Sequence, residues 1–138
     1  MLKPYRKEIF DSFVQNHGVT LLDSEIDGLE RTVMASIIEE AGAGVMRIVA
    51  ERLRQVVGEG WSGDHDDGHV GGELRNAAIA YAMACDPRAG ENAASVFPSC
   101  WGPGCFKPAD DPIRNLVRAG ALIAAEIDRL TRLKRCPA

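Results

Sequence analysis

Apolar residues recur at helical spacing almost throughout the chain, and alternating strand-like patterns are missing. A first helix is predicted from Pro4, suited to the first helical position, to Asn16, with Gly18 as its stop. Tyr5, Ile9, Phe10, Phe13 and Val14 give it an apolar face. A second opens on Ser24-Glu25-Ile26-Asp27, an S-x-x-D cap, and carries Ile26, Leu29, Val33, Ile37 and Ala41. Gly42 and Gly44 interrupt it, as a turn or a kink. A third, Val45 to Val57, is expected to bury Val45, Val49, Leu53 and Val56 and to present Glu51, Gln55 and Glu59 on its other side.

A fourth helix is expected from Glu73 to Cys85, thin enough in alanine for close packing. Residues 86–111 read as one long irregular stretch rich in Pro, Gly and Ser. Loops of that length are commonly binding loops or lids, and Phe97, Trp101 and Phe106 argue against disorder. The last helix, Pro112 to Leu133, has Asp110 and Asp111 well placed against its dipole. Its apolar stripe is Ile113, Leu116, Val117, Gly120, Ala121, Ala124, Ile127 and Leu130, whose small members should cross the alanine-rich helix closely. The expectation is an all-α, compact single-domain bundle of about five helices with a long aromatic loop before the last.

The chain's 138 residues suffice for one hydrophobic core. With a net charge of −4 and no basic stripe, nothing favours nucleic-acid or anionic-membrane binding. No apolar run approaches the roughly 20 residues of a membrane span, and the N-terminus lacks a signal-peptide core. The expected location is the cytosol, with Cys85, Cys100, Cys105 and Cys136 as reduced thiols.

The densest chemistry lies in Gly60-Trp61-Ser62-Gly63-Asp64-His65-Asp66-Asp67-Gly68-His69, with Glu73 just beyond. His65, Asp66 and His69 are candidate metal ligands, because mixed imidazole and carboxylate donors suit Mn²⁺, Zn²⁺ or Fe²⁺, with Mg²⁺ as a weak-binding case. Asp67 or Glu73 could then act as general base toward a metal-bound water. Two other readings stand beside this one. The same side chains could hydrogen-bond a polar small molecule directly, or the segment could be a solvated, helix-capping loop.

A zinc shared by Cys100, Cys105, His65 and His69 is weighed against two buried thiols, and the thiols are favoured. Trp61 and Trp101 are either hydrophobic anchors or base-stacking platforms. Lys107, Arg114 and Arg118 gather near the start of the last helix, where they could grip phosphate or pair with Asp110, Asp111 or Glu126.

Several separated pieces form a pattern: Glu51-Arg52-x-x-Gln55, Gly60-Trp61-Ser62, His65-Asp66-Asp67-x-His69 and Gly72-Glu73-Leu74, then Ala77-Ala78-x-x-Tyr81-Ala82 and Phe106-Lys107-Pro108-x-Asp110. Arg114-Asn115-Leu116-Val117 and Ala119-Gly120-Ala121-Leu122-Ile123, followed by Ala125-Glu126-Ile127-Asp128-Arg129, complete it. From about Arg47 to Arg132 the chain resembles a family of small proteins encoded by phages and prophages. The first 45 or so residues lie outside the resemblance, and the loop 97–106 lacks the tryptophan-richer form associated with that family.

The resemblance implies a phage setting and no particular activity. Two kinds of small helical protein that handle nucleotides fit such a setting. One is a metal-dependent nucleotide pyrophosphohydrolase of the MazG type, although Glu39-Glu40 and Glu73 depart from its E-E-x-x-E and E-x-x-D motifs. The other is a counter-defence protein that captures or destroys a nucleotide-derived immune signal. A third class, an inhibitor that binds a host protein through its helices, remains open. The alanine- and glycine-rich helix pair also leaves a homo-oligomer open.

Overall fold

The computed structural model describes residues 23–135, with side chains described at 35–36 and from 39 onward. The predicted helix at Pro4–Asn16 lies outside the described residues. Within them the protein is all-α, with no strand: α1 is Asp23–Gly58, α2 Gly63–Asp67, α3 Glu73–Met83, α4 Pro87–Val96 and α5 Pro112–Arg135. A 3-10 turn occupies Ser99–Trp101. None of the described helices is long and apolar enough to cross a membrane.

The chain divides into two compact units, Met1–Ala43 and Gly44–Ala138. The backbone of α1 leaves helical geometry near that boundary, at Gly42 (φ 84°, ψ 165°), a conformation that glycine adopts without steric cost.

Local chemistry explains where its helices begin. The Ser62 hydroxyl accepts the His65 amide (3.3 Å) and opens the single turn of α2. The chain enters α3 through Gly72 in the left-handed region (φ 85°, ψ 21°), where a side chain would also run into the Arg75 guanidinium. Asp86 accepts the Arg88 amide (2.9 Å) with Pro87 at the first helical position, which starts α4. Asp111 does the same for α5 through the Ile113 amide (2.9 Å). The α4 helix corrects the expectation that residues 86–111 are irregular throughout. Its small and polar residues hide the periodicity, but its cap and proline are ordinary start signals.

The core forms where α3 and α5 cross. Ala77, Ala78 and Ala80 meet Ala119, Ala125 and Leu122, with Leu74 and Phe97 filling beside them. This is the predicted close crossing, so the alanine face is occupied within one chain. Of two other predicted faces, one is inverted and one is turned in part. On α1, Val45, Val49, Leu53 and Val56 are exposed (Leu53 59 %), while Glu51 and Gln55 point inward and Gln55 is only 2 % exposed. On α5 only the large members of the predicted stripe turn outward: Ile113, Leu116, Ile127 and Leu130 are exposed, Ala121 of that stripe is buried, and beside it lie Asn115, Ala119, Leu122, Ala125 and Arg129. Short side chains let two helix backbones approach closely, whereas branched ones at the same seam would hold them apart. The large residues therefore fall outside. Gly120 serves a second close approach, because a Cβ there would stand 2.6 Å from the Ile48 Cδ1 of α1.

Candidate functional site

Four ion pairs fix the frame of the site. Buried Asp66 of α2 binds Arg52 of α1, whose other nitrogen reaches the Trp61 carbonyl (3.5 Å). Asp67, next in sequence but exposed, binds Arg132 of α5 (2.7 Å). Arg54 spans Glu51 (2.9 Å) and Glu59 (2.7 Å) at the end of α1. At this end the Gln55 carbonyl accepts both the Glu59 and Trp61 amides (3.2 and 3.1 Å), turning the chain toward α2.

These elements, with the loop after α4 and the middle of α5, enclose a cavity of about 490 Å³. Its lining sets six rings among charged and polar side chains, and the rings meet in sequence. Trp61 stacks on His65 at 6.2 Å, His65 meets His69 edge-on at 5.0 Å, and His69 meets Trp101 at 5.0 Å. Trp101 continues to Phe97 at 5.4 Å, and Phe97 to Tyr81 at 6.1 Å. The H-x3-H pair thus joins two tryptophans into one ring chain.

Among the described residues, three that line the cavity carry a buried polar atom with no hydrogen-bond partner: Gln55 Oε1, His69 Nε2 and Trp101 Nε1. Gln55 is held in register by its own amide, which donates to Glu51 (3.2 Å) and leaves the oxygen free. Buried polar atoms without partners are uncommon and costly; all three are closed to solvent, so a ligand would reach them only after the side chains around them turned. Lys107 and Arg118 add positive charge at the wall. Arg118 donates to the Lys107 carbonyl (2.5 Å) and lies over the Tyr81 ring at 5.5 Å.

Of the residues singled out from sequence, Trp61, His65, Asp66, His69, Trp101, Lys107 and Arg118 all line the cavity. Asp67, Glu73 and Arg114 do not. Glu73 accepts the Gly71 amide (2.8 Å), and Arg114 borders a separate shallow depression with Arg47 and Asp111. Among the described residues, no three His, Cys, Asp or Glu side chains are placed to hold one metal ion. Asp66 Oδ1 lies 3.4 Å from His65 Nδ1, and its other oxygen binds Arg52. Cys100 and Cys105 are free thiols that stand exposed, which corrects the expectation that they are buried.

Sequence reasoning missed Gln55, Glu51 and Arg54 as wall residues. The signal for Glu51 and Gln55 is the polar row they form with Glu59 at i, i+4 and i+8 on α1, opposite the apolar stripe; Arg54 carries no such signal. Tyr81, quoted only within the family pattern, was missed as well.

Hydrogen bonds from Arg54 hold the Glu51 carboxyl below the usual range, against the opposing effect of its burial. Arg129 does the same for Glu126 on α5. Carboxyls with lowered folded-state pKa contribute stability above their unfolded value, about 4.3 for Glu, and lose it as pH falls through the lowered one. The urea midpoint is therefore expected to fall as the solution is acidified below about pH 4.3. Glu51→Gln should flatten part of that fall, as a comparison of denaturation curves across the acid range would measure.

No family model, curated protein or solved structure matches the chain. On their own, fold and site define a small helical protein with a cavity lined by rings and by charged and polar side chains.

Proposed function

We propose that the protein binds a nucleotide or nucleotide-derived small molecule in this cavity and sequesters it. The observation that carries the reading is the cavity lining, in which Trp61, His65, His69 and Trp101 lie beside Lys107 and Arg118. A heteroaromatic base offers a flat face for such rings and an edge that both donates and accepts. Lys107 and Arg118 supply charge for a phosphate.

Capture is favoured over hydrolysis by the state of the carboxylates. Glu51, Glu59 and Asp66, on the cavity wall, are each bound to an arginine, which weakens them as bases. Asp67 and Glu73, the sequence candidates for catalysis, are engaged elsewhere. In the phage setting that the resemblance implies, capture would withdraw a nucleotide-derived immune signal.

Titration with adenine and guanine mononucleotides, diphosphates and cyclic dinucleotides, followed by tryptophan fluorescence, tests the reading. The expected result is saturation at one ligand per chain, with the ligand recovered unchanged after denaturation. Trp61→Ala and Arg118→Ala should each weaken binding about tenfold or more, since they remove a stacking face and a phosphate contact worth about 1–3 kcal/mol each, while Asp67→Ala should leave affinity intact. Turnover of excess nucleotide would restore the hydrolase, and the absence of binding across the panel would overturn the proposal.

A further inference from the structure

The large apolar side chains that the core leaves outside are ordered along their helices. On α1, Met46, Val49, Leu53 and Val56 are all exposed and follow one another in alternating steps of three and four residues. On α5, Ile113, Leu116, Ile123, Ile127 and Leu130 do the same, with Gly120 filling the one position between Leu116 and Ile123. That spacing is a heptad seam, the pattern by which one helix packs along another. The two helices are neighbours, because Ile48 of α1 lies against Gly120 of α5.

We propose that this two-helix face is the interface of a homodimer, in which α1 and α5 of two copies close into a four-helix arrangement. The inference is independent of the cavity and of the ligand proposed for it. Two seams on adjacent helices are what a two-fold contact needs, since each copy supplies a pair and receives a pair. With exposures between 37 and 59 %, the nine residues present roughly 700–800 Å² per copy, close to one side of a standard stable interface.

The flanks of the seams suit a protein partner. Ala50 and Val57 border the α1 seam, and Val117 and Ala124 border that of α5. The charged flanking residues Arg52 and Glu126 are held by Asp66 and Arg129 within the same chain. Arg47, Arg54 and Arg114 border Ala50, Ile113 and Val117, but Glu51 and Asp111 stand among them, so this edge carries both signs and a chain of net charge −4 is repelled by an anionic membrane. A second copy meets no like charge along the seam itself.

Light scattering of the full chain across a wide concentration range tests the proposal. The expected species has twice the 14.9 kDa chain mass. Leu53→Glu combined with Ile123→Glu should yield a monomer of unchanged helical circular dichroism, because both side chains are already exposed. Ile127→Glu alone should raise the dissociation constant at least tenfold. A chain that is monomeric at every concentration overturns the proposal and leaves the face to the chain's own N-terminal residues or to a foreign protein. A dimer that persists unchanged in the double variant overturns it too, by placing the interface elsewhere.

Discussion

Asp66→Ala is expected to cost about 3–5 kcal/mol of folding stability, the usual penalty for removing one partner of a buried ion pair. The Asp66 side chain is 2 % exposed and that of Arg52 17 %, so the guanidinium left behind would face the interior without a counter-charge. The loss is large because net stability of a domain this size is itself only about 5–15 kcal/mol. The pair also holds α2 to α1, so the turn carrying His65 should loosen with it. Arg52→Met in the same chain should recover much of the loss, since a buried pair replaced on both sides by apolar groups is often close to neutral. A double-mutant cycle from urea denaturation measures this coupling. A loss below about 1 kcal/mol would mean that the pair is solvated in solution. The same variant bears on the metal reading of the loop: a metal ligand would lose stability mainly in the presence of the ion, whereas the ion pair is lost with or without it.

Much of the fold was legible in the sequence for a mechanical reason. Caps and prolines act locally, so the start signals at Gly72-Glu73 and Asp111-Pro112 and the alanine-on-alanine crossing needed no tertiary information. The face of α1 was not legible, because Val45, Val49 and Leu53 form as good an apolar stripe as any core face. Only the cavity, an object made by other segments, turns Glu51 and Gln55 inward. The histidines show a similar limit. Their spacing announced a shared site, and they do share one, but ring stacking between Trp61 and Trp101 depends on a loop forty residues away in sequence. Polar density picked out residues that line the cavity, while the partners of Asp66 and Asp67 were set by arginines on α1 and α5.

Asn115→Ala is expected to destabilise the protein by about 2–4 kcal/mol and to weaken ligand binding through a residue outside the cavity wall. Asn115 is fully buried at the start of α5 and clamps Ala109 from both sides: its Oδ1 accepts the Ala109 amide and its Nδ2 donates to the Ala109 carbonyl, each at 2.8 Å. A strand partner would satisfy a backbone in this way, and here a single amide side chain does so for a loop that has no strand beside it. Ala109 stands between Pro108 and Asp110, so the clamp fixes the end of the loop that brings Trp101 and Lys107 to the cavity. Alanine leaves both Ala109 groups without partners and opens a void. Asn115→Leu refills the volume but restores neither bond, so it should remain destabilised. Asn115→Asp keeps the acceptor, loses the donor and adds a buried charge, so it should fare no better than leucine. Hydrogen exchange at the Ala109 amide separates the clamp from simple packing. That amide should lose protection in all the variants except Asn115→Asp, where its acceptor survives; protection retained in the leucine variant would show that packing alone holds the loop.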